Sequence, residues 1–184
     1  MGKKFAAAAL ARLAAGHQQT ASDIAKAGAI PSLVGLLGGE RGTAAQEEAA
    51  GALFSLADDN GNRVAITGAG GIGPLVELLG SSNSKARKHA EGALVRLSIE
   101  SANRALIIKK LVGMLYDKGA GGQGAQEQAA AALANLASDS AENRVSIVDA
   151  GGIEPLLSLL EGSSSKVSPQ SRTRPPLDLR SSCA

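Results

Sequence analysis

One passage occurs three times in this chain in near-copy: GALFSLADDNGNRVAI at 51–66, GALVRLSIESANRALI at 92–107 and AALANLASDSAENRVSI at 131–147. A block returning at an interval near 40 residues means stacked helical units. Each unit buries its apolar face against the next, and no single closed core forms. Such a chain presents a long surface to its partners where a closed domain would present a pocket.

Composition suits that architecture. Hydrophobic residues make up 44% of the 184, yet aromatics are only 2% and Trp is absent. The interior must therefore be Ala, Leu, Ile and Val packed closely on small residues. A net charge of +2 and a pI near 8.8 give no continuous basic stripe, which argues against nucleic acid as a partner. Cys183, the only cysteine, stands near the C-terminus where it closes no loop, and a reducing compartment is compatible with it. The longest apolar candidate, ALIIKKLVGML, is broken by Lys109 and Lys110, so no integral membrane segment is expected and the chain reads as soluble. The opening MGKKFAAAALARLAA imitates a signal peptide. Arg12 interrupts its apolar stretch, however, and Leu10, Leu13 and Ala14 fall in register with Leu53, Leu56 and Ala57, which makes it a helix of the array.

Each unit divides into three pieces. A short first helix is expected to begin after an Asn cap (Asn62, Asn143) and to end at the glycines of GAGG or DAGG. The second reads IPSLVGLL, IGPLVELL and IEPLLSLL, with Pro tolerated in its first turn. The third covers 46–57, 87–98 and 126–137, where Ala49, Ala52, Leu53 and Leu56 mark a buried stripe. Gly51 and Gly92 lie inside this third helix at a cost of about 1 kcal/mol each relative to Ala, and close approach of neighbouring helices is the expected compensation.

This pattern, a capped short helix followed by AGGI.PLV.LL and then A..AL.NLA, resembles the armadillo repeat over residues 1–161. Leu10, Leu53, Leu94 and Leu133 lie 43, 41 and 39 residues apart, in keeping with the period of about 40–47 for such units. HEAT repeats lack the GGI.PLV.LL signature, and tetratricopeptide repeats have a period of about 34. The resemblance implies an all-α, right-handed α-solenoid of about three full units with partial units at the ends. In the unit after 98 the glycine turn is absent. With no breaker between Ala105 and Met114, its first and second helices are predicted to fuse and tilt the next unit. A mobile Gly-rich loop is expected at 118–124, and a disordered Ser-, Pro- and Arg-rich tail at 162–184. The array opens on a lone third helix and closes on a second helix, so apolar faces are expected at its ends, as in a fragment of a longer array, a degenerate relative of one, or a chain that self-associates through its ends.

In armadillo proteins the third helices line a groove that holds partners in extended form, often through a ladder of Asn side chains. The resemblance places that ladder at Arg12, Ser55, Arg96 and Asn135, of which only Asn135 is the family's residue. Arg donates without accepting, so the groove is expected to prefer an acidic or phosphorylated protein segment. Import adaptors of this family carry Trp four residues before the ladder Asn. Ala8, Gly51, Gly92 and Ala131 stand there, which disfavours basic nuclear signals. Glu48, His89 and Gln128 share the groove face one turn back. His89 closes the basic run KARKH at a helix start, an unfavourable place for cations that reads as a solvated face or, against that, an anion site.

No catalytic constellation is present. His17 and His89 fall in different units without an acid or nucleophile motif beside them, and GAGGIG follows a helix where a dinucleotide loop would follow a strand. No enzyme activity, cofactor or metal is implied. The expected role is a cytoplasmic scaffold, with the nucleus or a membrane periphery as other locations. Two further readings come from resemblance: a vacuolar armadillo scaffold tethered by a lipid on Gly2, although Ala6 replaces the usual Ser or Thr, and the recognition arm of a U-box ubiquitin ligase.

Overall fold

The computed structural model describes residues 2–39, 43–117 and 122–164, and among these every regular element is an α-helix. The Gly-rich stretch 118–121 and the tail 165–184 lie outside the described residues. In chain order the helices are α1 (Gly2–Ala14), α2 (Gln18–Lys26), α3 (Ala29–Leu37), α4 (Ala44–Leu56), α5 (Asn60–Gly68), α6 (Ile72–Leu78), α7 (Ser84–Leu97), α8 (Ser101–Tyr116), α9 (Gly122–Asp139), α10 (Ala141–Asp149) and α11 (Ile153–Ser164). They form the expected repeating order. α1 is a lone third helix, α2–α4 and α5–α7 are complete units, α8 with α9 is the shortened unit, and α10–α11 supplies a first and a second helix.

The turn between first and second helices rests on one backbone conformation. Gly28, Gly70 and Gly151 all have φ between 76° and 81°, the left-handed region in which a Cβ is strained. The unit at 101–116 has no glycine at that point, its backbone stays right-handed, and α8 runs unbroken for 16 residues. The predicted fusion is therefore present, and its consequence is visible in the packing. α4 runs closely against α1 on one side and α7 on the other, whereas α9 packs on α8 and lacks that close backbone approach to α7. α9 also begins at Gly122, four residues before the expected start and inside the stretch read as a loop.

The buried stripe falls where the spacing puts it. Ala49, Ala52, Leu53 and Leu56 are fully buried, as are Ala90, Ala93 and Leu97. Buried apolar residues form one continuous core of Ala, Leu, Ile and Val with no aromatic member. Removing a Leu side chain from such a site costs about 2–5 kcal/mol.

The recurring Asn has a role other than the cap expected of it, and an Arg follows it each time. Asn62 does not cap α5; Asp59 does, accepting from the Asn62 backbone N–H at 2.9 Å, and Ser140 does the same for Asn143 at 3.1 Å. The Asn side chains instead reach back to the end of the preceding third helix. Their amides donate to the carbonyls of Leu56 (3.1 Å), Leu97 (3.2 Å) and Leu136 (2.6 Å). The paired arginines take the next carbonyl, Arg63 on Ala57 (3.2 Å), Arg104 on Ser98 (3.3 Å) and Arg144 on Ala137 (2.8 Å). The last carbonyls of a helix have no partner within it and carry partial negative charge, so an amide donor and a cation both stabilise that end. Arg63 and Arg104 also reach into the following unit, pairing with Glu100 at 3.5 Å and Glu142 at 2.5 Å. Arg63 and Arg104 thus tie neighbouring units together, while Arg144 stays exposed at the surface.

At the other end of each third helix a second tie recurs. Gln46 donates to the Leu37 carbonyl at 2.6 Å, Arg87 to that of Ser81 at 2.5 Å and Gln126 to that of Leu115 at 2.8 Å, closing the second helix of each unit. Replacing Asn103 with Ala leaves the buried Leu97 carbonyl without this donor and is expected to cost about 1–3 kcal/mol. Val64→Ala, at an exposed site in the equivalent first helix, is expected to stay within about 0.5 kcal/mol. Urea unfolding of both variants checks the difference.

Candidate peptide-binding face

The face under consideration is made by the third helices α1, α4, α7 and α9. Each starts on a small polar residue where the chain allows it. Thr43 accepts from the Gln46 N–H at 3.3 Å, and Asn83 Oδ1 accepts from the N–H groups of Lys85 and Ala86 at 3.0 and 3.2 Å. These caps fix the helix register and so decide which side chains stand on the face.

At its centre α4 and α7 interlock through their two glycines. A Cβ on Gly92 would stand 2.7 Å from Cε2 of Phe54, and one on Gly51 would stand 3.1 Å from the His89 ring. Each glycine is the notch for an aromatic ring of the facing helix. Those two rings are stacked on one another, with centroids 6.4 Å apart and planes 14° from parallel. The guanidinium of Arg96 covers the Phe54 ring at 3.6 Å, donates to the Phe54 carbonyl and pairs with Asp58 at 2.9 Å. His89 Nδ1 stands 3.2 Å from the Glu47 carbonyl oxygen; since a carbonyl only accepts, the ring serves it as an N–H donor.

The positions read as a ladder fare differently. Arg96 is half-buried and already satisfied by α4, so Asp58 offsets much of its attraction for an outside carboxylate. Asn135 is exposed on α9 and donates to the Glu91 carboxylate of α7, which ties the displaced α9 back to the row. Ser55 is half-buried and Arg12 exposed. Glu48, His89 and Gln128 are all half-buried on their helices. Between α7 and α9 a narrow cleft lined by Glu91, Leu94, Val95 and Leu136 marks where the two helices part.

The basic run KARKH is mostly committed within the protein. Lys85 lies 3.9 Å from Glu47, Arg87 holds the end of the preceding second helix, and His89 bonds the Glu47 backbone. Glu47 also accepts from Asn83 at 2.9 Å. Glu47, which the sequence reading passed over, is therefore the acid that balances this helix start. Phe54 was likewise missed. Its signal was a glycine in register on the next helix, a notch that needs something large opposite.

These features define the class first: a stack of helical units whose third helices α1, α4 and α7 pack side by side in a row, with α9 set apart from it. No family model matches the chain. A stretch of 108 residues, 56% of the chain, is 36% identical to Vacuolar protein 8 of Candida albicans, of which it spans 18%. Among solved structures, two engineered proteins are similar over 89% of the chain at 36% and 33% identity, both with a TM-score of 0.63, the chain covering 68% and 69% of them. A designed armadillo repeat protein in complex with the peptide (KR)4 matches 85% of the chain at 27% identity and a TM-score of 0.60, with 66% of its own length covered. The chain is an armadillo repeat protein.

The interlock makes a direct stability prediction. Gly92→Ala pushes a methyl into a Phe54 ring that Arg96 and His89 already hold in place, and is expected to destabilise by about 1–3 kcal/mol. Gly113→Ala, on an open face of α8, is expected to stabilise by up to about 1 kcal/mol. Thermal and urea unfolding of the two variants should move in opposite directions.

Proposed function

We propose that this chain is a non-enzymatic scaffold that binds an extended segment of another protein along the face of its third helices, with Asn135 as the principal backbone contact. The observation that carries this reading is the row formed by α1, α4 and α7, bounded by an exposed amide on α9. An amide can donate to and accept from a peptide group at once, which suits a partner held in extended form. The likeness to a designed armadillo repeat protein in complex with a peptide supports the same mode. Among the described residues no group of His, Cys, Asp and Glu could hold a metal, and no helix is long and apolar enough to cross a membrane.

Charge selection in this reading is weaker than the Arg content of the ladder implies. Asp58 partners Arg96, leaving Arg12 and Lys88 as exposed cations and Glu48 and Glu91 as anions on the same face. An acidic or phosphorylated segment is favoured at the Arg12 end. A second location reading, a scaffold at the vacuolar membrane, is favoured by the similarity to Vacuolar protein 8. Intact mass of the native protein, reading lipid on Gly2, distinguishes it from an untethered scaffold.

A panel of extended peptides of acidic, phosphorylated, neutral and basic composition tests the function by fluorescence anisotropy. Asn135→Ala is expected to weaken the best binder about tenfold, the equivalent of one lost hydrogen bond of about 1.4 kcal/mol. Asp58→Asn frees Arg96 and is expected to raise affinity for acidic peptides relative to neutral ones. Unchanged affinity in both variants would remove this face as the site.

A further inference from the structure

Glu91 breaks the register of the third helices. The matching positions are Ala7 in α1, Ala50 in α4 and Ala130 in α9. Ala7 and Ala50 are 1% and 0% exposed, in the part of the row where third helices lie close together. A carboxylate held between helices at such a place would lose its water without gaining partners in return. Beside α7 there is room for one, because α9 packs on α8 and leaves a cleft. Glu91 stands half-buried at that cleft among Leu94, Val95, Ala132 and Leu136.

Among the described residues the Glu91 carboxylate has one partner, the side-chain amide of Asn135 on α9. A carboxylate only accepts hydrogen bonds, so the amide turns Nδ2 toward it and carries Oδ1 at its other end. The apolar walls of the cleft strengthen this bond relative to one on open surface, since water competes less there. Asn135 is exposed, and without Glu91 its side chain would be free to take several rotamers, with either end outward. The matching positions of the other third helices carry no amide, since Arg12, Ser55 and Arg96 stand there. The direction of this one amide therefore decides which backbone group the face receives.

We propose that Glu91 is a positioning residue, holding the Asn135 amide so that its Oδ1 takes a backbone N–H of an extended partner and proline is rejected at that point of the partner. This deepens the binding mode proposed above and rests on the third-helix face being the site. Proline has no backbone N–H, so it would cover Oδ1 without supplying a donor, and an acceptor left unpaired in a contact costs affinity. Holding the amide in one direction before the partner arrives also spares the entropy of ordering it on binding. Glu91 touches no partner group in this role and acts through Asn135.

The test has two arms on the full chain. The first needs no partner and follows the Asn135 side-chain amide by 15N NMR. Glu91→Ala is expected to shift that signal and to speed its exchange with water, and Glu91→Gln, which keeps an oxygen acceptor, to restore most of the wild-type behaviour. Ala is the residue of the matching positions, so the variant is expected to fold, which a circular dichroism melt verifies. In the second arm the tightest-binding peptide of the acidic, phosphorylated, neutral and basic panel is remade with each backbone N–H replaced in turn by an ester oxygen, and with proline at each position. One position is expected to lose about tenfold in affinity with the ester and at least as much with proline, and Asn135→Ala should abolish the ester effect there. Glu91→Ala should weaken the unmodified peptide about fivefold and flatten the ester profile, with Glu91→Gln recovering most of the loss. An Asn135 signal that Glu91→Ala leaves unmoved overturns the inference, as does an ester scan without a position that depends on Asn135. The binding face itself stands in both cases if Asn135→Ala still weakens the unmodified peptide. Unchanged affinity in Asn135→Ala, or no binding by any peptide of the panel, removes the face and this inference together.

Discussion

The contact on which the structure depends is the burial of one helix, α4, between two others of its kind. Its residues Ala49, Ala50, Ala52 and Leu53 have no exposed surface, and Gly51 gives way to a ring from α7. Small side chains bring the backbones close enough for dispersion contacts to accumulate along the whole helix. The hydrophobic gain per residue is modest because Ala buries little area. It is the repetition of this contact, unit upon unit, that offsets the chain entropy lost on folding.

Polar ties then set the order of the stack. Donors from the following first helix close the C-terminal ends of α4, α7 and α9, and donors from the third helix close the ends of α3, α6 and α8. These bonds contribute little net energy when made and are expensive to leave unmade, so they select one register among several that the apolar pattern alone would permit. The same logic reaches the proposed binding face. Arg96 and His89 stand there because they hold α7 to α4, which leaves Arg12 and Glu48, together with the exposed Asn135 that also bonds Glu91, for the proposed partner.

The period, the turn glycines and the buried stripe were legible in the sequence because each is a local pattern with a local cause. The fusion that forms α8 was legible for the same reason, as the absence of a left-handed glycine is as readable as its presence. The long-range contacts were not. Asn62 sits three residues after the true cap, Asp59, a spacing that looks like a cap from the sequence, while its amide bonds the carbonyl of Leu56 across a turn. The Arg96 contacts to Phe54 and Asp58 cross about 40 residues, and nothing in the ladder pattern announces that an arginine on the groove is already paired. Composition placed the start of α9 late because Gly122 and Gly124 read as loop, though glycine at the first turn of a helix costs less than glycine within it.

Native-state hydrogen exchange on the dilute chain, resolved by NMR, tests the stacked architecture most directly. Stability that is a sum over neighbouring units requires the slowest amides to lie in α4 and α7, with protection falling through α1 at one end and α10 and α11 at the other. Equal protection from α1 to α11, the signature of one closed cooperative core, would contradict the account.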